Sequence, residues 1–143
     1  MMLAKPEIRP AGITALSIFF LFGTAASFLS SVSLFFPGSF LEPMWRLNPR
    51  ARAGFADMGG WAVILMCTVS IACVSAAVGL WRGTRWGYWV AATMLVINLL
   101  GDLVNVILGT EPRAAVGIPI VLAILAFLVS KRVQRFFFGH GGY

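Results

Sequence analysis

One aspartate sits inside an apolar run. In "WGYWVAATMLVINLLGDLVNVIL" (86–108), Asn98, Asp102 and Asn105 are the side chains that could do chemistry among Leu, Val and Ile. At about 100° per residue, with Asn98 as zero, Asp102 falls near 40° and Asn105 near −20°. The three therefore share one helical face, with Gly101 and Gly109 beside them. A carboxylate flanked by two amides can hold a cation, a proton or a polar small molecule. The same groups can equally hydrogen-bond to neighbouring helices, at about 0.6 kcal/mol per contact. Either use keeps the face away from lipid, because an aspartate at the bilayer centre costs roughly 2.5–3.5 kcal/mol on insertion scales.

Other chemistries lack their residues. The single histidine, His140, lies in the tail "GHGGY", so no span offers a haem ligand. Cys67 and Cys73 share one apolar run, about 240° apart around a helix, and cannot pair with each other. They read as buried free thiols. One aspartate without a His, Glu or reachable Cys beside it makes no metal set, and no Ser/His/acid arrangement can form within the spans. The first span has no glutamate of the kind the small multidrug antiporters need. We expect no enzymatic activity, no cofactor and no metal.

The elements that must position the polar face follow from composition. Of 143 residues, 59% are hydrophobic and 11% charged, far too little charge to cover a soluble domain. Apolar runs predict four transmembrane spans, about 13–36, 61–81, 86–108 and 114–130, in one domain covering 1–143. The first run is too long for the apolar core of a signal peptide and has no small-residue cleavage site, so it reads as a retained span. The fourth is short and ends in "KRVQRFFF", whose basic side chains can snorkel. Short connections, "RGTR" and "GTEPR", make helices two to four antiparallel neighbours.

The net charge of +6 reflects basic residues beside the spans, where they anchor helices and set topology, rather than a nucleic-acid surface. Lys5, Arg9, Arg82, Arg85, Lys131, Arg132 and Arg135 fall on one side, and Arg46, Arg50, Arg52 and Arg113 on the other. That asymmetry puts both termini in the cytoplasm. Trp81, Arg82, Arg85, Trp86 and Trp89, with Tyr88 among them, read as an aromatic belt with basic anchors at the cytoplasmic boundary. A patch for anionic headgroups is the other reading of that stretch.

The long first loop, 37–60, predicts an interfacial helix. Ser39 and Glu42 of "SFLE" have capping-box spacing, and Phe40, Leu41, Met44, Trp45 and Leu47 form an apolar stripe. Asn48 followed by Pro49 predicts a second start, and Gly59-Gly60 either breaks or loosens the entry into the second span. Small-residue spacings, Gly23-x-x-x-Ser27, Ala72-x-x-x-Ala76 and Ser75-x-x-x-Gly79, allow close helix approach.

Three phrases, "FPGSFLEPMWRLNPRARAGF", "GLWRGTRWGYW" and "NLLGDLVN", together resemble small four-span bacterial membrane proteins of uncharacterised function. The resemblance covers nearly the whole chain. It implies the architecture and brings no catalytic residue with it.

Asp102 lies six residues before Leu108, about 9 Å below the outer end of its span. Ser27, Ser30, Ser31 and Ser33 of the first span, and Cys67, Thr68 and Ser70 of the second, fall at comparable depth. Pro119 of the fourth span leaves the Ala115 carbonyl without its helical donor. The expected site is thus a polar intramembrane face of Asn98, Asp102, Asn105, Ser27, Ser30, Thr68 and Ser70. The fold class expected is an all-α membrane protein, a four-helix antiparallel bundle with an interfacial helix in the outer first loop. The function expected is packing: an accessory subunit of a larger membrane complex, or a small homo-oligomer. The alternative is a small transporter or channel-like protein with an outward-opening pocket around Asp102. Partners would be the lipid bilayer and other membrane subunits or a second copy, and no nucleic acid.

Overall fold

The computed structural model describes residues 8–139; Lys5 and His140 lie outside them. Six α-helices follow one another among the described residues: α1 (Ala11–Phe35), α2 (Pro49–Met58), α3 (Gly60–Trp81), α4 (Arg85–Ile107), α5 (Ala114–Val129) and α6 (Lys131–Phe138). A 3₁₀ segment, Glu42–Leu47, lies between α1 and α2. Among the described residues there is no strand. By length and composition α1, α3 and α4 can each cross a membrane, and α5 with α6 makes a fourth crossing if that bent pair counts as one.

Each start and stop has a local cause. Asn48 accepts a hydrogen bond from the Ala51 N–H at 3.1 Å, with Pro49 as first helical residue, so α2 begins where expected. Gly59 takes a φ of +60°, which ends α2 and separates it from α3. Thr84 caps α4 by accepting from the Gly87 N–H at 3.3 Å. Ser130 adopts extended backbone, and α6 leaves α5 at 55°.

The capping box expected at Ser39 is not formed, although a short helix does lie in the first loop. The Ser39 hydroxyl is buried without a partner, and the 3₁₀ segment starts only at Glu42, with no side-chain cap. The Glu42 carboxylate turns instead to Arg52 of α2, at 2.6 Å. With Pro43 next in sequence, the short segment winds as a 3₁₀ turn. Its apolar stripe also divides. Trp45 is buried and donates to the Ser33 hydroxyl at 2.8 Å, while Phe40 and Leu47 are exposed. Trp45 thus pins the loop to the end of α1.

The long helices pack in series: α1 on α3, α3 on α4, α4 on α5. Side-chain pairs give the register. Ser31 lies 3.0 Å from Cys67, and Ser70 donates to the Thr24 carbonyl at 3.3 Å. Arg9 at the start of α1 donates to the Trp81 carbonyl at the end of α3, its guanidinium 4.7 Å from the indole centroid. Across the next turn Gly79 and Gly87 approach backbone to backbone, closer than any β-carbon allows. Beyond it, Tyr88 at the start of α4 donates to the Leu128 carbonyl at the end of α5, at 3.1 Å.

The molecule has two unlike ends. The basic end carries Arg9, Arg82, Arg85 and α6; the loop end carries α2 and the α4–α5 turn. The main hydrophobic core lies toward the basic end: Ile13, Leu16 and Phe20 of α1, Cys73, Ala76 and Leu80 of α3, Tyr88, Ala91 and Leu95 of α4, with Leu128, Val133 and Phe137. At the loop end, Arg50 donates to the Thr110 carbonyl at 3.0 Å and Arg113 to the Leu47 carbonyl at 3.5 Å, so the first loop reaches the α4–α5 turn.

Candidate polar seam on helix α4

Along one stripe of α4, residues recur at alternating steps of three and four: Tyr88, Ala91, Leu95, Asn98, Asp102, Asn105. Such a 3,4 spacing keeps one stripe on one side of a helix, as the packing seam of a coiled coil does. The first three are apolar and buried. The last three are the polar trio. Asn98 is exposed, and Asp102 and Asn105 are half-buried. One stripe thus runs the length of α4, buried over its basic-end half, exposed at Asn98 and half-buried at Asp102 and Asn105. Around the loop-end half, Val96, Ile97, Leu100, Val104 and Ile107 are also exposed.

Within the trio, the Asn98 amide donates to Asp102 Oδ2 at 3.3 Å, one helical turn away. Asn105 is held separately: its Oδ1 accepts from the Thr110 hydroxyl at 2.9 Å, at the mouth of the α4–α5 turn. Asp102 meets α5 at Gly117. A β-carbon at position 117 would fall 2.5 Å from Asp102 Oδ2, so the glycine makes the notch that receives the carboxylate. On the other flank, space around Gly101 is open.

The serines and threonine of the expected polar face go elsewhere. Ser70 bonds across to α1, as above, and the Thr68 hydroxyl turns back to the Ile64 carbonyl at 2.8 Å on its own helix. Ser27 and Ser30 are half-buried on α1, whose principal neighbour is α3. Asn98, Asp102 and Asn105 belong to α4, whose loop-end half meets α5. The polar groups expected at one depth therefore divide between two seams, α1–α3 and α4–α5. The physical reason is the series packing, which sets α3 between α1 and α4.

The aromatic and basic stretch keeps its place at the basic end. Trp81, Trp86 and Trp89 are each at least half exposed, and Arg82 and Arg85 are exposed. The Arg85 guanidinium lies 5.8 Å from the Phe138 ring centroid, and Phe138 packs edge-on to Tyr88. Sequence reasoning missed two features here. Gly79 was placed in a small-residue spacing along α3, but its partner is Gly87 across the turn, and the signal was the glycine on each side of "LWRGTRW". The Tyr88–Leu128 bond has no sequence signal, since it depends on the bend at Ser130.

Among the described residues no three His, Cys, Asp or Glu side chains come together. The Glu42 carboxyl, in the first loop, is held below its ordinary range by the hydrogen bond from Arg52. No family model, no curated protein and no solved structure matches the chain.

Proposed function

We propose that this chain is a non-enzymatic integral membrane protein that works by helix packing, as a subunit of a larger assembly. In this reading α1, α3, α4 and the α5–α6 pair form four spans of an antiparallel bundle. Both termini are cytoplasmic, in a bacterial cytoplasmic membrane. The observation that carries it is the partly buried stripe of α4. A stripe that is core at Tyr88, Ala91 and Leu95 continues into Asn98, which is exposed, and Asp102, which is half-buried. Lipid is a poor cover for that stripe, because hydrocarbon offers no hydrogen-bond partner to amide or carboxylate. A helix from another subunit offers both packing and partners.

The second reading, a channel-like use of Asp102, is favoured by the open space beside Gly101. Substitution at Asp102 separates the two. Packing predicts that Asp102→Leu disperses the native assembly in mild detergent, while Asp102→Asn preserves it with little change. Transport predicts that Asp102→Asn leaves assembly intact and abolishes a pH- or ion-dependent flux. Full retention of assembly in Asp102→Leu would contradict the packing role.

A further inference from the structure

At the basic end, α6 and the chain entering α1 flank an open hollow of about 410 Å³ lined by Ile8, Pro10, Lys131, Arg132, Arg135 and Phe136. Three of its six lining residues are cations, and all three are exposed. The four described carboxylates (Glu42, Asp57, Asp102 and Glu111) belong to the first loop, the loop-end half of α4 and the α4–α5 turn. Its described charged lining is wholly cationic, which suits an anion.

Next to it along the same elements is a second, apolar hollow of about 320 Å³. It lies between Gly12, Ala15 and Phe19 of α1 and Ala123, Ile124 and Phe127 of α5. Gly12 follows Pro10 by two residues, and Phe127 precedes Lys131 by four, so the two spaces succeed one another down one seam. Between the two spaces α1 meets α5 at Gly12 and Phe127, and on either side of that contact the surface stays open because α1 packs mainly on α3. A charged hollow above an apolar groove matches a molecule with an anionic head and a hydrocarbon tail. Basic pockets between transmembrane helices on the cytoplasmic side bind such headgroups.

We propose that the seam between α1 and the α5–α6 pair holds an anionic glycerophospholipid. Its phosphate sits among Lys131, Arg132 and Arg135, and an acyl chain lies along Ala15 and Ala123. The proposal rests on the membrane-spanning reading above, which sets the basic end at the bilayer surface. An acidic segment of a protein partner would use the cations but leave the apolar groove unexplained.

The test is native mass spectrometry of the full chain in mild detergent with equal amounts of phosphatidylglycerol and phosphatidylcholine. The wild type is expected to retain phosphatidylglycerol at least five-fold over phosphatidylcholine, since each Lys or Arg near an anionic surface contributes about five-fold in affinity. The triple variant Lys131→Gln/Arg132→Gln/Arg135→Gln is expected to bring that ratio close to one. Ala15→Phe/Ala123→Phe, at two exposed positions, fills the groove and is expected to reduce phosphatidylglycerol retention with the charges intact. Millimolar glycerol phosphate is expected not to displace the lipid.

Equal retention of both lipids by the wild type, which needs no variant to fold, would overturn the proposal. So would a preference that survives the triple variant. A preference unaffected by groove filling, or lost to glycerol phosphate, would assign the cations to a soluble anion or an acidic partner and overturn it too. Carbonate extraction from membranes keeps the two readings distinct. A chain that resists extraction yet shows no lipid preference loses only this site, whereas an extractable chain loses the membrane-spanning reading itself.

Discussion

Single atoms decide three contacts. In an unbroken helix the Leu128 carbonyl would accept from the N–H of residue 132; the break at Ser130 removes that donor, and the Tyr88 hydroxyl replaces it at 3.1 Å. Tyr88→Phe should therefore leave a buried carbonyl unpaired and cost about 1–3 kcal/mol, read as a lower thermal midpoint in detergent with the helix content unchanged. Gly87 has no room for a β-carbon against Gly79. Gly87→Val should force α3 and α4 apart and cost about 1–3 kcal/mol, as overpacking does, measured by the same melt. The loop offers a pH handle. Glu42 carries a folded-state pKa lowered from 4.5, chiefly by the hydrogen bond from Arg52. A lowered pKa contributes stability that is present above the unfolded value and is lost as pH falls through the folded one. Amide exchange of α2 should thus stay slow at pH 5 and accelerate only in a window below 4.5. In Arg52→Ala, that acceleration should move up toward the ordinary carboxylate range.

Among the elements, those that hydropathy marks were legible in the sequence, and their ends fell within two residues of the observed helices: 13–36 against Ala11–Phe35, 114–130 against Ala114–Val129. Length and apolar run suffice there because the burial of a span is a summed property of many residues. Local signals divided by how much competed with them. Asn48-Pro49 started α2 as expected, since nothing else claims the Asn48 side chain. Ser39 and Glu42 had capping spacing but formed no box, because a cation ten residues later took the carboxylate. The face of Asn98, Asp102 and Asn105 was legible from helical angles alone. Its neighbours were not, because depth along a bundle says which residues are level and not which helices touch. The α4 seam became visible only once Tyr88, Ala91 and Leu95 were seen to be buried on the same stripe.

The whole molecule is asymmetric from end to end. Toward the basic end the helices close over a continuous core, with aromatics and cations around it and an open hollow fit for an anionic head. Toward the loop end lie the described carboxylates, the first loop ties itself to the α4–α5 turn through Arg50 and Arg113, and the α4 stripe is exposed at Asn98. In the reading proposed above, another helix completes the polar stripe of α4 where Asn98 is exposed. That is the central claim, and Gly101 is the place to test it, because a side chain there meets no atom within 4 Å and sits beside Asn98 and Asp102. A photo-crosslinking residue at Gly101, activated in intact membranes, is predicted to form protein adducts of defined mass, while the same probe at the exposed Ile71 of α3 captures lipid. Lipid adducts alone at both positions would show that nothing completes the seam, and would contradict the account.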